Sequence, residues 1–314
     1  MSIPAALLLI VTLCAGAHAP WRCAAAGGRA TDTMDVRAMQ AIAKSTGADK
    51  SLGWGVRSAD PCDGTWLGVR CDGGQGRVTS IVASNGGLAG RDSGTDLSDL
   101  ALLTSLDLSF NRLGDDLPAL PRPLSYLTHL NLSSNSFLGI PDSFFFSFPA
   151  LETFAIDDNT VVTGSVPEDL VRCPKLRAFS ANNVTLFGPV PEFFGDGAIF
   201  PALERLSLAR NHLLGSIKPD FGKNSKIKFL DISGQTPEVE GDSLTGHLDF
   251  VAGMTELVEI HVGGNSFYGP LPDASRLVNL KVFDAANNKL CGQVKFAPGV
   301  VVNVDGNPGV GKDC

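Results

Sequence analysis

LTSLDLSFNRL, Leu103 to Leu113, and LTHLNLSSNSF, Leu127 to Phe137, share one spacing, LxxLxLxxNxL, which returns down the chain. The paired apolar residues of LxL point inward from a short strand while the residue between them faces solvent, so neighbouring coils share one core. Taking the first apolar residue of each LxL as a marker gives Ile81, Leu106, Leu130, Phe154, Phe179, Leu206, Leu230, Ile260 and Phe283, spaced by 25, 24, 24, 25, 27, 24, 30 and 23 residues. A period near 24 decides for one elongated array over the two globular domains that 314 residues would also allow. Asn111, Asn135, Asn159, Asn211, Asn265 and Asn288 follow the strands and can bond backbone groups that a tight turn leaves unpaired. Val184 and Gln235 stand where that ladder wants Asn, and two irregular turns are expected there.

The pattern is that of a leucine-rich repeat. It predicts a right-handed solenoid over residues 77–294, with nine repeats and a parallel β-sheet on the concave face. Gly164-Ser165-Val166-Pro167, Gly188-Pro189-Val190-Pro191 and Gly269-Pro270-Leu271-Pro272 recur after the strands. Glycine allows a sharp bend and proline removes a ladder donor, so the convex side is expected to run as 3-10 or irregular backbone. The GxIP form resembles the plant-specific class of these repeats. Residues 236–242, TPEVEGD, lengthen one coil and predict an exposed acidic loop.

The ends of the array need covers. At the N-terminus, residues 31–76 read as a cap: a helix opened by Thr31 or Asp32, with Met34, Ala38, Met39, Ile42 and Ala43 as its apolar face, followed by Trp54, Trp66 and the Cys62 to Cys71 loop. Residues 295–314 read as a C-terminal cap in which Val300 to Val304 form a last edge strand. Upstream, residues 1–26 read as a secretory signal, an apolar run followed by small residues, cut after Ala26 or, less favourably because of Pro20, after Ala19. In an oxidising compartment Cys62 pairs with Cys71 and Cys291 with Cys314, while Cys14 and Cys23 leave with the signal and Cys173 is a buried free thiol. Asn131-Leu132-Ser133 and Asn183-Val184-Thr185 are glycosylation sequons that fit a secreted glycoprotein.

Charge and motifs narrow the function. Losing residues 1–26 removes Arg22 and no acid, leaving 24 basic against 33 acidic side chains, −9, which argues against nucleic acid. No later apolar run reaches the ~20 residues of a membrane helix. Gly306 to Lys312 matches the GxxxxGK phosphate loop, but Asp313 follows where Ser or Thr should hold the metal and no helix can follow, so no nucleotide is expected. His18, His129, His212, His247 and His261 have no metal-ligand spacing and no nucleophile motif is present; neither an enzyme nor a cofactor site is expected.

The sequence also resembles one family. The cap PCDGTWLGVRC (61–71), the coil LRAFSANNVTLFGPVPEFFG (176–195), LDISGQ (230–235) and VVVNVDGNPGVGK (300–312) are similar to the extracellular part of plant TMK-class receptor-like kinases. The resemblance implies recognition in cell-surface signalling, linked to auxin through an auxin-binding-type partner. Family members have two repeat blocks separated by a non-repeat island with a second cysteine cap, then a membrane helix and a kinase; against that pattern the island, the helix and the kinase are expected to be missing here, with the tail joined directly to the first block near Asp273.

A partner is expected on the concave face. Asp107, Asn131, Ala155, Ser180, Ser207, Asp231, His261 and Asp284 lie between the core positions, with Phe110, Asp157, Asp158, Arg205, Arg210 and Glu259 beside them. A regular array of outward side chains on a curved scaffold is how repeat proteins bind. Phe110 is an outward aromatic with no core reason to be there, unless it packs on Arg112 or the cap. Arg205 and Arg210 could clamp a carboxylate, or pair with Asp157, Asp158 or Asp231 across coils. His261 and His129 raise the expectation that an acidic partner binds more tightly as pH falls, because a free histidine titrates near ~6.5.

The sequence therefore predicts a secreted module, in the apoplast or at the outer face of the plasma membrane, that binds an extracellular protein or peptide and assists or competes with a full-length receptor kinase. A secreted inhibitor of wall-degrading enzymes, similar to polygalacturonase-inhibiting proteins, is the alternative. A truncated ectodomain without independent function is a third.

Overall fold

The computed structural model describes residues 30–90, 94–236 and 243–314. The signal peptide, Cys14, Cys23 and residues 237–242 of the expected acidic loop lie outside the described residues.

Eleven short strands form the main sheet in chain order: β1 Val69–Cys71, β2 Val78–Val82, β3 Ser105–Asp107, β4 His129–Asn131, β5 Thr153–Ala155, β6 Ala178–Ser180, β7 Arg205–Ser207, β8 Phe229–Asp231, β9 Glu259–His261, β10 Val282–Asp284 and β11 Val301–Asn303. All neighbours are parallel except β1, which pairs antiparallel with β2. All nine markers from Ile81 to Phe283 sit directly opposite one another in the register, and Val302 extends the row. The markers are buried, so a one-residue slip of any strand would turn its core residues to solvent. Phenylalanines carry the core through its middle: Phe154 packs on Phe179 at 5.5 Å between ring centroids and Phe179 on Phe194 at 5.3 Å. The solenoid architecture is thus the one the repeat predicts.

The convex side holds 3-10 turns at Phe144–Ser147, Glu168–Arg172, Glu192–Gly195, Pro219–Gly222 and Asp249–Gly253. Between it and the main sheet the coils add very short parallel strands along one flank, including Phe187–Gly188, Gly215–Ser216 and Ser266–Pro270. Irregular backbone was expected across Gly269-Pro270; instead that pair ends a flank strand.

The asparagine ladder has one hydrogen-bond pattern. Asn135 Nδ2 donates to Leu108, Leu132 and Ser133 carbonyls while its Oδ1 accepts from Leu113 N at 3.0 Å, so one side chain ties two coils together. Gln235 does not interrupt this ladder: its Nε2 reaches the Leu208, Ile232 and Ser233 carbonyls and its Oε1 takes Leu213 N. The extra methylene keeps the same amide in a coil of different path. Val184 does interrupt it, and there Asn211 Oδ1 accepts from both Val184 N and Leu186 N while Asn183 and Thr185 take left-handed backbone. Asn307 carries the ladder one coil further, donating to the Ala285 and Val304 carbonyls and accepting from Leu290 N. The GxxxxGK stretch is therefore repeat backbone.

The N-terminal cap is built on helix α1, Thr33–Ser45, whose first turn is capped by Asp32 accepting from Met34 N. Ala38, Met39, Ile42 and Ala43 face the core, but Met34 is exposed and Asp35 is buried in the face assigned to it. Asp35 belongs there because Arg77 binds it through two nitrogens, at 2.9 and 3.1 Å, and Val78 N donates to it at 2.7 Å. Trp54 and Trp66 are buried 5.7 Å apart, each donating its indole N–H to a carbonyl. Disulfides join Cys62 to Cys71 and Cys291 to Cys314, and Cys173 is a buried thiol.

Candidate recognition surface

Because the register is unbroken, equivalent positions of successive coils form columns. The position after each marker gives Asp107, Asn131, Ala155, Ser180, Ser207, Asp231, His261 and Asp284, side by side on the sheet, continued by Asn303. The position before each marker gives His129, Thr153, Ala178, Arg205, Phe229, Glu259 and Val282.

A third column lies four residues past each marker, where the chain leaves the strand. Asn85, Phe110, Ser134, Asp158, Asn183, Arg210, Gly234, Gly264, Asn287 and Gly306 all have φ between 52° and 74°. This left-handed turn suits Gly, Asn and, less well, Asp; a bulky side chain there is strained. Phe110 nevertheless occupies it with φ 55° and is 62% exposed. It has neither the backbone preference nor the burial that would explain an aromatic.

The expected site residues do not converge on one point. Arg205 and Arg210 stand in different columns, at the start of β7 and beyond its end, and do not form one clamp. Arg205 lies over the Phe229 ring of the next coil, 3.8 Å from its centroid. Arg210 is 4.0 Å from Asp158, which also accepts from Asn183 Nδ2 at 2.9 Å. Asp157 is spent on structure, accepting from Ser180 Oγ, Asn182 N and Asn182 Nδ2 at 2.7 to 2.9 Å. Asp231 caps its own turn through Ser233 N and Oγ. Glu259 is 2.7 Å from the His261 Nε2, Asp284 is 3.8 Å from its Nδ1, and the Phe229 ring stands 5.8 Å away.

What remains open is a groove of about 510 Å³ at the entrance of the central strands, lined by Glu152, Arg177, Glu204, Arg205, Lys228 and Phe229 among others. Glu204 bridges Arg177 at 3.3 Å and Lys228 at 3.2 Å across its floor. Such exposed pairs cost little to break, so a ligand can exchange partners with them. Sequence reasoning did not find the Arg205–Phe229 stack, although both residues stand one before their markers. Asn131 lies on the sheet itself with its Oδ1 accepting from Ser133 N, and Asn183 stands in the left-handed column. No group of acids, histidines and cysteines able to hold a metal occurs among the described residues.

The leucine rich repeat N-terminal domain family matches residues 32–72, and leucine-rich-repeat families match 100–116, 126–148 and 202–224. The chain folds as a leucine-rich-repeat solenoid. It is similar to the receptor-like kinase TMK2 of Arabidopsis thaliana, 33% identical over 236 residues, which is 75% of this chain and 26% of the relative. It is likewise 31% identical to TMK4 of the same plant over 261 residues, 83% of this chain and again 26% of the relative. The chain thus spans about a quarter of the length of these relatives, and the likeness to the TMK class noted in its sequence holds. Among solved structures, the ectodomain of the Arabidopsis receptor kinase GASSHO1/SCHENGEN3, in complex with CASPARIAN STRIP INTEGRITY FACTOR 2, superposes with TM-score 0.64 at 24% identity, over 83% of this chain and 33% of that one. Arabidopsis HAESA, solved with the peptide hormone IDA and the co-receptor SERK1, gives 0.59 at 23%, over 84% and 51%. A plant ice-binding protein gives 0.67 at 20%, over 90% and 99%. At these identities the three structures share the fold. No helix among the described residues is long and apolar enough to cross a membrane.

Proposed function

We propose that this protein is a non-enzymatic recognition module of cell-surface signalling, outside the cell, that binds an extracellular peptide or protein across its concave columns. The observation that carries this reading is Phe110. It is an exposed aromatic held in backbone that favours glycine or asparagine, and folding supplies no reason for it, whereas a ligand would. The groove beside Arg205 and Phe229 supplies charge and an aromatic face for the same ligand. Likeness to receptor kinases, and the peptide hormone and co-receptor bound by HAESA, favour a peptide or a receptor-kinase partner. An auxin-binding-type protein is a further candidate, resting on the TMK resemblance.

Glycans at Asn131 and Asn183 belong to this reading. Asn131 stands in the sheet column at β4, one coil from Phe110, so a glycan there would border the ligand's path between Phe110 and the groove. The test is capture from plant apoplastic and plasma-membrane extracts by the secreted, glycosylated protein, compared with Phe110→Gly and Arg205→Ala. Specific capture of one peptide, protein or receptor kinase that both variants lose supports the reading. Capture that neither variant changes removes the concave columns from it.

A further inference from the structure

The convex 3-10 turns fill the space behind the sheet. Those at Phe144–Ser147, Glu168–Arg172, Glu192–Gly195, Pro219–Gly222 and Asp249–Gly253 bury Phe145, Leu170, Phe194, Phe221 and Phe250 there. The coil of β3 has no such turn. Its return segment, residues 116–124, reads DLPALPRPL and holds no helical turn between the flank strand Arg112–Asp115 and β4. Pro118, Pro121 and Pro123 remove backbone donors that a turn would use. The segment therefore offers the core Leu117 and Leu124, where most later coils offer phenylalanine.

A cavity of about 40 Å³ is left beneath this segment. Its buried walls are apolar and include the markers Leu106 and Leu130, with Leu113, Leu117 and Phe144. The lining residues that are not buried, Gly114, Asp116, Pro118 and Leu120, mark its mouth. An apolar cavity stays dry, because a water inside would lack polar partners. At on the order of 10–15 Å³ for each water-sized group, this one takes about three carbons in a row. It is too small for a ring and fits the end of an alkyl chain.

The rim adds a second requirement. Asp116 is an exposed carboxylate at the mouth, and exposed Asp115 precedes it. Arg122, the cation of the return segment, is held by buried Asp99, which Arg37 also binds at 3.2 Å. Arg112 stands at the far end of the flank strand from the mouth. Leu138, 46% exposed, lies beside the mouth with its N–H donated to Asp115 O at 3.1 Å, and gives apolar surface just outside.

We propose that this cavity is a ligand site for a single alkyl chain with a cationic head, an alkylammonium. About three carbons lie inside, the next run over Leu138, and the head stands at Asp116. The mouth follows a flank strand and lies off the concave columns, so the site stands apart from the recognition surface.

The experiment is NMR titration of the secreted full-length product with n-hexylammonium, hexanol and hexanoate, with circular dichroism melts confirming that each variant folds. Wild type is expected to bind hexylammonium saturably and hexanoate about fivefold more weakly, the size of an exposed charge contact. Each enclosed carbon is worth about fourfold in affinity. Leu117→Phe and Leu120→Phe, each filling the cavity with a ring as later coils do, are therefore expected to weaken hexylammonium by roughly 60-fold. Asp116→Asn is expected to bring hexylammonium and hexanoate to one affinity. Two separate plugs keep the test decisive if one of them fails to fold. A wild type without saturable binding overturns the proposal, as does undiminished affinity in a folded plug variant, hexanoate binding as tightly as hexylammonium, or a preference that survives Asp116→Asn.

Discussion

Replacing Phe110 with glycine separates a folding role from a binding role at one position. Phe110 is 62% exposed, so the other 38% of its surface is covered by the fold. For a phenylalanine of ~200 Å² that is roughly 75 Å², worth ~2 kcal/mol at ~25 cal/mol per Å². Against this stands its left-handed backbone, φ 55°, whose cost for a bulky residue is ~1 to 2 kcal/mol and vanishes with glycine. The two terms nearly cancel, and Phe110→Gly should change unfolding free energy by no more than ~1 kcal/mol. Phe179, fully buried in the same core, gives the contrast: Phe179→Ala should cost ~3 to 5 kcal/mol. If Phe110 is a ligand anchor, its loss should weaken partner binding by ~2 kcal/mol, roughly 30-fold. Denaturant unfolding and calorimetric titration of wild type and the two variants read both numbers. A Phe110→Gly loss of stability approaching that of Phe179→Ala would make it a packing residue, and unchanged affinity would remove it from the ligand surface.

Gln235→Ala strips a hydrogen bond from Leu213 N and from the Leu208, Ile232 and Ser233 carbonyls in a buried place, and should destabilise the protein by ~3 kcal/mol in the same unfolding assay. In the cap, Asp35→Ala leaves the buried Val78 N and the partly exposed Arg77 guanidinium without their carboxylate and should cost ~2 to 3 kcal/mol; a melt unchanged within error would show that water satisfies them. Burial, with a smaller push from the Asp169 carboxylate, raises the Cys173 thiol to about 12. An unfolded cysteine titrates near ~8.5, so the folded chain holds this proton more tightly. The group leaves stability untouched below pH ~8.5 and lowers it as pH climbs from there toward the folded value. Melts taken across that alkaline range should fall more steeply for wild type than for Cys173→Ala, and native Cys173 should resist alkylation that proceeds at once in denaturant.

The sheet was legible because its period is written in residues that the core selects. Leu106, Leu130 and Leu206 are buried for the same reason that they recur, and the markers with Phe or Ile differ only in shape. The left-handed column left a weaker signal, a scatter of Asn, Ser, Asp and Gly four residues past the marker, and it becomes clear only when all ten φ values agree. Gln235 was misread because the ladder was treated as a residue type when the structure needs an amide at the end of a reach. Contacts between coils were harder still. The Asp35–Arg77 pair spans 42 residues and joins cap to array, and no local periodicity encodes it. Arg205 and Phe229 are 24 residues apart in sequence and adjacent in space, so aligning the column before the markers would have revealed the stack. The candidate site was legible as a face and illegible as a set of partners, since Asp157, Asp231 and Glu259 look free until their hydrogen bonds are seen.

The central claim is that a partner lies across the concave columns. Hydroxyl-radical footprinting of the captured complex, read by mass spectrometry against the free protein, tests it most directly. The account predicts protection of Phe110, Arg205 and Phe229, with the convex 3-10 turns at Phe144–Ser147 and Glu192–Gly195 unchanged. Protection confined to those turns, with Phe110 as reactive in the complex as alone, would contradict it.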